Sequence, residues 1–135
     1  MDVSELTREH RDMVCGLWRE AGLTRAWNSP EEDFDRALAG PSSTVLGVVR
    51  DGVVVATAMV GHDGHRGWVY YVAVSGALQG QGIGSRLMSS AEDWVRRAGV
   101  PKLQLMVRDE NDAAQGFYRR LGYEDAHVTT LGRWI

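Results

Sequence analysis

The stretch LQGQGIGSRLM, Leu78 to Met88, places glycine at three alternate positions and then falls into helical spacing. Before it, WVYYVAV (Trp68 to Val74) is built of β-branched and aromatic residues and reads as a strand. After it, Ile83, Leu87, Ala91, Trp94, Val95 and Ala98 form the buried stripe of a long helix, ended by Gly99 with Pro101 beyond. A helix start carries amide N–H groups without partners and the positive end of the helix dipole. Glycines at such a join let the backbone approach a ligand and take dihedrals that a Cβ forbids. The segment therefore suits phosphate or pyrophosphate, bound through amides and without a lysine. A tight turn packed for structure would use the same residues, and the segment alone leaves both readings open.

Working outward, a first strand is expected at about Val3 to Leu6, with Thr7 capping a helix that buries Val14, Leu17, Trp18 and Ala21 and ends at Gly22. Ser29-Pro30-Glu31-Glu32 has the form of a capping box with proline at the first helical position, opening a short second helix that Gly40-Pro41 stops. Strands at about Thr44 to Arg50 and Val53 to Val60 are joined by Asp51-Gly52, a pair that favours a type I′ turn. Beyond the long helix, KLQLMV reads as a strand, Asn111 to Leu121 as a helix closed by Gly122, and Tyr123 to Leu131 as a last strand. A strand, a crossover helix and a further strand imply a parallel pair within an otherwise antiparallel meander. The expected fold is thus α/β, one domain over residues 1–135, with a mixed, mostly antiparallel sheet and about four helices.

Composition narrows the function. The 135 residues carry a net charge of −3 and an ordinary share of hydrophobic residues, which speaks against nucleic acid as a partner. Apolar runs such as GVVVATAMV are too short to span a bilayer, and Met1 leads into acidic rather than basic residues, so neither membrane nor signal segment is expected. The lone Cys15 fits a reducing cytoplasm. It reads as an inert buried thiol rather than a nucleophile, since no motif surrounds it. His62 and His65 flank a turn but lack further ligands at metal-binding spacing, so no metal is expected.

Three anion-binding loops compete for QGQGIG. A P-loop needs Gly-Lys-Ser/Thr, and Gly84-Ser85-Arg86 stands here. The dinucleotide fingerprint needs a further glycine where Ser85 lies. Gln79-Gly80-Gln81-Gly82-Ile83-Gly84 instead matches the acetyl-coenzyme A loop Gln/Arg-x-x-Gly-x-Gly/Ala. Downstream, NDAAQGFYRRLGY reads Asn-x-x-Ala-x-x-x-Tyr-x-x-x-Gly-Tyr. With these two motifs the chain resembles the GNAT N-acetyltransferase superfamily over its whole length. WNSP, DGHRG and YY are similar to a bacterial, YpeA-like branch of it.

The resemblance implies acetyl-CoA as cosubstrate, lying where the fourth and fifth strands splay apart. The fourth strand would supply backbone groups near Val72 and Val74 to the pantetheine arm, and one of its N–H groups would point at the thioester carbonyl. Gln79, Gly80, Gln81, Gly82, Ile83, Gly84 and Ser85 would hold the pyrophosphate. Asn111 would anchor the cofactor side, and Tyr118 would supply a proton to the departing thiolate. Without the motif, Tyr118 reads equally as a packed aromatic beside Phe117 and Leu121. Relatives that carry a carboxylate base have it at places held here by Trp68 and Met106, so Tyr70 or an ordered water is the expected proton route. Period-two alternation puts Trp68, Tyr70, Val72 and Val74 on one face and Tyr71 on the other. Trp27, Asn28 and Gln104 are the acceptor-side candidates; Glu31, Glu32 and Asp33 nearby suit a cationic amine or are simply solvated acids at a helix start. The implied acceptor is a primary amine of a small molecule or peptide. The rival is a coenzyme A-sensing module that transfers nothing, and GRWI near an edge suggests a homodimer.

Overall fold

The computed structural model describes residues 2–135. The chain divides into two units, one ending at Leu105 and one spanning Met106–Ile135.

In the first unit, helix α1 (Arg11–Glu20) buries Val14, Cys15, Leu17 and Trp18, and Gly22 beyond it takes φ +71°. Helix α2 (Pro30–Ala39) opens as its sequence dictates. Ser29 Oγ accepts the Glu32 N–H at 3.2 Å, Pro30 fills the first position, and Phe34 and Ala37 turn inward. Strands β1 (Ser4–Glu5), β2 (Ser43–Arg50), β3 (Val53–His62), β4 (Gly67–Val74) and β5 (Leu103–Leu105) form one sheet in sequence order. All neighbours are antiparallel except β4 and β5. The β2–β3 turn has φ of 52° at Asp51 and 78° at Gly52, the two positive values that a type I′ hairpin requires. Helix α3 (Ile83–Arg97) makes the crossover between the parallel pair.

The two sheet faces have separate cores. Trp18 and Phe34, both fully buried, join Leu6, Val45, Val54 and Ala73 on the face covered by α1 and α2. Ile83 and Leu87 of α3 pack on Val48, Ala56 and Ala58 of the other. Burying one such aliphatic side chain stabilises the fold by about 1.5–3 kcal/mol. At Gly67 a Cβ would lie 2.6 Å from Val95 Cγ2, so glycine there lets α3 close onto β4.

The second unit holds helix α4 (Asp112–Arg120), ended by Gly122 at φ +94°. The strand expected over Tyr123 to Leu131 is absent: no regular element follows α4 among the described residues. Asp125 Oδ1 accepts the His127 N–H at 2.8 Å while His127 takes φ +55°, a local turn that interrupts the extended run. Val128, Leu131, Trp134 and Ile135 are all exposed.

Candidate functional site

Strand β4 is released from β5 along its second half and from β3 at a single interruption. Its ladder with β5 covers Gly67, Trp68 and Val69 and stops at the Val69–Leu105 pair, although β4 runs on to Val74. Toward β3, Thr57 pairs with Ala73 and Met59 with Tyr70, so Tyr71 and Val72 together oppose Ala58. This is a β-bulge on β4, which frees a backbone amide from the ladder. At its centre Tyr71 sits at φ +52°, a left-handed conformation costing an aromatic residue of order 1–3 kcal/mol.

The bulge overturns the expected alternation. Gly67 faces Val95 of α3, and Val72 and Val74 also pack with Ile83 and Leu87 of α3. An odd and two even positions on one face require a phase shift between them. Trp68 and Tyr70 therefore lie opposite Val72 and Val74, on the side of α1 and α2, where Tyr71 joins them.

After β4 the chain turns through residues 75–82. Gln79 Nε2 donates to the Val74 carbonyl at 3.2 Å, tying the loop back to the strand end. Gly80 and Gly82 take φ of +80° and +79°, and a Cβ built at either meets nothing within 4 Å. Glycine is thus needed there for its dihedral, not for internal crowding. Gly82 is the N-cap of α3 and offers no side-chain acceptor, and the first turn carries no acid. By contrast Ser29 and Asn111 cap α2 and α4 through their side chains. The α3 start therefore keeps its amides and dipole for another acceptor. Gln81 and Ser85 are exposed, Gly84 is half-buried, and Ile83 is pinned in the core.

On the opposite face of the sheet, Gln104 is half-buried and in register with Trp68. Trp27 is 60% exposed and Asn28 is exposed, its N–H bonded to the Arg25 carbonyl at 3.1 Å. Tyr70 is 45% exposed, and partial burial raises its phenol above the ordinary value, so it stays protonated near neutrality. Of the three acids opening α2, Glu31 holds Arg19 at 2.8 Å, and Asp33 binds Arg36 and the Tyr71 hydroxyl, the latter at 2.7 Å. Only Glu32 is left exposed.

Sequence reasoning passed over Tyr71. Its ring stacks on Trp18 with centroids 3.8 Å apart and planes 11° from parallel. Burial and the Asp33 carboxylate both push its phenol far up. The signal was the doubled tyrosine itself, since two adjacent aromatics on one side of a strand need a bulge.

In the second unit, Asn111 Oδ1 accepts the Ala114 N–H at 3.1 Å. Tyr118 is half-buried between Phe117 and Tyr123, in edge-on contact with both at centroid distances of 5.0 and 6.0 Å. Burial pushes its hydroxyl up to about 12. A Cβ at Gly116 would touch only the Arg120 guanidinium, at 3.3 Å.

Cys15 is buried and its thiol is raised from an ordinary 9.0 to about 12, first by desolvation and then by the Glu31 carboxylate, which fits the inert reading. At the DGHRG turn, Asp63 Oδ1 accepts the N–H groups of His65 and Arg66, and His62 Nδ1 accepts that of Gly64. No group of three potential ligands that could hold a metal occurs among the described residues, and no described helix is long and apolar enough to cross a membrane.

The elements build a mixed α/β sheet whose parallel pair parts beside a glycine-shaped helix start. The chain belongs to the acetyltransferase (GNAT) family, whose sequence model matches residues 8–123. Solved structures similar to it include aminoglycoside N-acetyltransferase AAC(6')-Iy in complex with the bisubstrate analogue CoA-S-monomethyl-acetylneamine. It is 16% identical with a TM-score of 0.83, over 99% of this chain and 97% of that one. AAC(6')-IG from Acinetobacter haemolyticus is 16% identical with a TM-score of 0.81, over 100% and 99%. A tetramutant of BH1408 from Bacillus halodurans is 22% identical with a TM-score of 0.79, over 99% and 100%. At these identities the likeness is one of fold.

Proposed function

We propose that the protein is an acetyl-CoA-dependent N-acetyltransferase, moving the acetyl group to a primary amine of a small molecule or peptide by direct attack in a ternary complex. The observation that carries this reading is the uncapped start of α3, behind two left-handed glycines and beside the half of β4 that β5 leaves unpaired. Amides of residues 79–85 bind the pyrophosphate. The backbone near Val72 and Val74 receives the pantetheine arm. An amide released by the bulge stabilises the oxyanion, a role typically worth about 3–4 kcal/mol.

Tyr118, assigned by its motif, acts on the leaving thiolate. Burial holds its hydroxyl at about 12, above an ordinary thiol, so it donates a hydrogen bond rather than a whole proton. Asn111 supports the cofactor side while capping α4. Tyr70, protonated near neutrality, passes the amine proton along with ordered water rather than taking it as a phenolate. Trp27, Asn28 and Gln104 border the acceptor.

The 135 residues act as one catalytic domain, in the cytoplasm of a bacterium and on the YpeA-like branch. The exposed Val128, Leu131, Trp134 and Ile135 support a homodimer. A second reading, a coenzyme A sensor, is favoured by one observation: Trp68 and Tyr70 supply no carboxylate on the acceptor face of β4. Mixing protein and acetyl-CoA with an amine panel separates the two. Free thiol that appears only with an amine supports transfer, and tight binding without thiol release supports sensing.

A further inference from the structure

The strained point of β4 is held by side chains that reach it from the α1 and α2 side. Thr57 Oγ1, fully buried, accepts the Trp18 indole N–H at 2.8 Å and donates to the Tyr71 carbonyl at 2.9 Å. Trp18, also fully buried, stacks under the Tyr71 ring, and the ring's hydroxyl donates to Asp33 of α2 at 2.7 Å. Backbone carbonyl, ring face and phenol are therefore each fixed by a different element: β3, α1 and α2. A positive φ at a tyrosine persists only where its surroundings over-determine it, and these do.

We infer that Trp18, Thr57 and Asp33 are positioning residues that lock the Tyr71 bulge, and through it set the amide that polarises the thioester carbonyl. The inference rests on the acetyltransferase reading above. None of the three touches the reacting atoms. Their action passes through the backbone at Tyr71 and Val72, where the ladder to β3 is broken and the ladder to β5 has already ended. An oxyanion donor works only when aimed in advance, so releasing the lock weakens the polarisation of the carbonyl while leaving the pyrophosphate cradle intact.

The test compares the full-length wild type with Thr57→Val, Thr57→Ser and the milder Tyr71→Phe. The readouts are the infrared carbonyl stretch of bound ¹³C-acetyl-CoA, amide hydrogen exchange at Tyr71 and Val72, and calorimetric affinity for CoA, which lacks the carbonyl. The stretch moves to lower frequency on binding wild type. Thr57→Val loses that shift and exchanges the two amides faster, with CoA affinity unchanged. Thr57→Ser, which keeps the hydroxyl, restores both, and Tyr71→Phe lies between. A wild-type carbonyl shift that survives Thr57→Val overturns the inference alone, as does a wild type that binds acetyl-CoA without any shift. A loss in Thr57→Val that Thr57→Ser does not restore also overturns it, because the effect is then general misfolding. A wild type that fails to bind acetyl-CoA overturns the acetyltransferase reading, and this inference with it.

Discussion

Gly82 and Gly99 stand at the two ends of α3 with the same φ of +79°, and a Cβ at either meets nothing within 4 Å. Alanine at each position therefore brings the same backbone strain and no internal clash. For one residue in the left-handed region that strain is about 1–2 kcal/mol, a fall in Tm of roughly 3–8 °C for a chain of this size. If the amides after Gly82 cradle the pyrophosphate, the new Cβ at position 82 also stands where a ligand must come. Gly82→Ala should then raise the Kd for acetyl-CoA at least about tenfold, or 1.4 kcal/mol, whereas Gly99→Ala should leave it unchanged. Thermal melts and calorimetry on the two variants provide the comparison. Equal losses of stability with unequal losses of affinity are expected. Equal affinities for wild type, Gly82→Ala and Gly99→Ala would refute the cradle and reduce the loop to a turn.

Three further outcomes follow from the same geometry. Tyr118→Phe should lower kcat by about 10- to 10²-fold, the loss of one hydrogen bond to a charged leaving group, with little change in acetyl-CoA affinity; steady-state kinetics with any accepted amine checks this, and unchanged turnover removes Tyr118 from the chemistry. Gly116→Ala should raise the stability of α4 by up to about 1 kcal/mol, since only the movable Arg120 guanidinium faces the site; a melt tests this, and a simultaneous loss of coenzyme affinity would show that a ligand uses the space. Cys15 should resist thiol reagents in the native protein at pH 8. Its folded value of about 12 against 9.0 means that the unfolded chain releases the proton first, so stability falls as pH rises from about 9 toward 12, and Cys15→Ala should flatten that part of the profile.

The parts of the fold that local chemistry dictates were legible. Ser29-Pro30 opened α2, Asp51-Gly52 closed the hairpin, and Gly22, Gly99 and Gly122 ended helices, because each feature is decided within a few residues. The glycine loop was legible for the same reason. The bulge was not. Period two assumes an unbroken ladder, whereas the phase of β4 is set by Trp18, Thr57 and Asp33, which lie 53, 14 and 38 residues from Tyr71. That one slip moved Tyr70 to the opposite face from Val72 and Val74. The extended reading of Tyr123 to Leu131 failed for a local reason: the Asp125 carboxylate accepts the His127 N–H and His127 turns to positive φ. Asn111 carried a double signal: a motif position also began a helix, and the structure shows the capping bond.

The central claim, that the start of α3 binds the coenzyme, is tested most directly by titrating acetyl-CoA into the wild-type protein in a calorimeter. Binding in the micromolar range at one site per chain is predicted. No detectable heat at millimolar acetyl-CoA would contradict the account, leaving the glycines as a turn and Tyr118 as a packed aromatic.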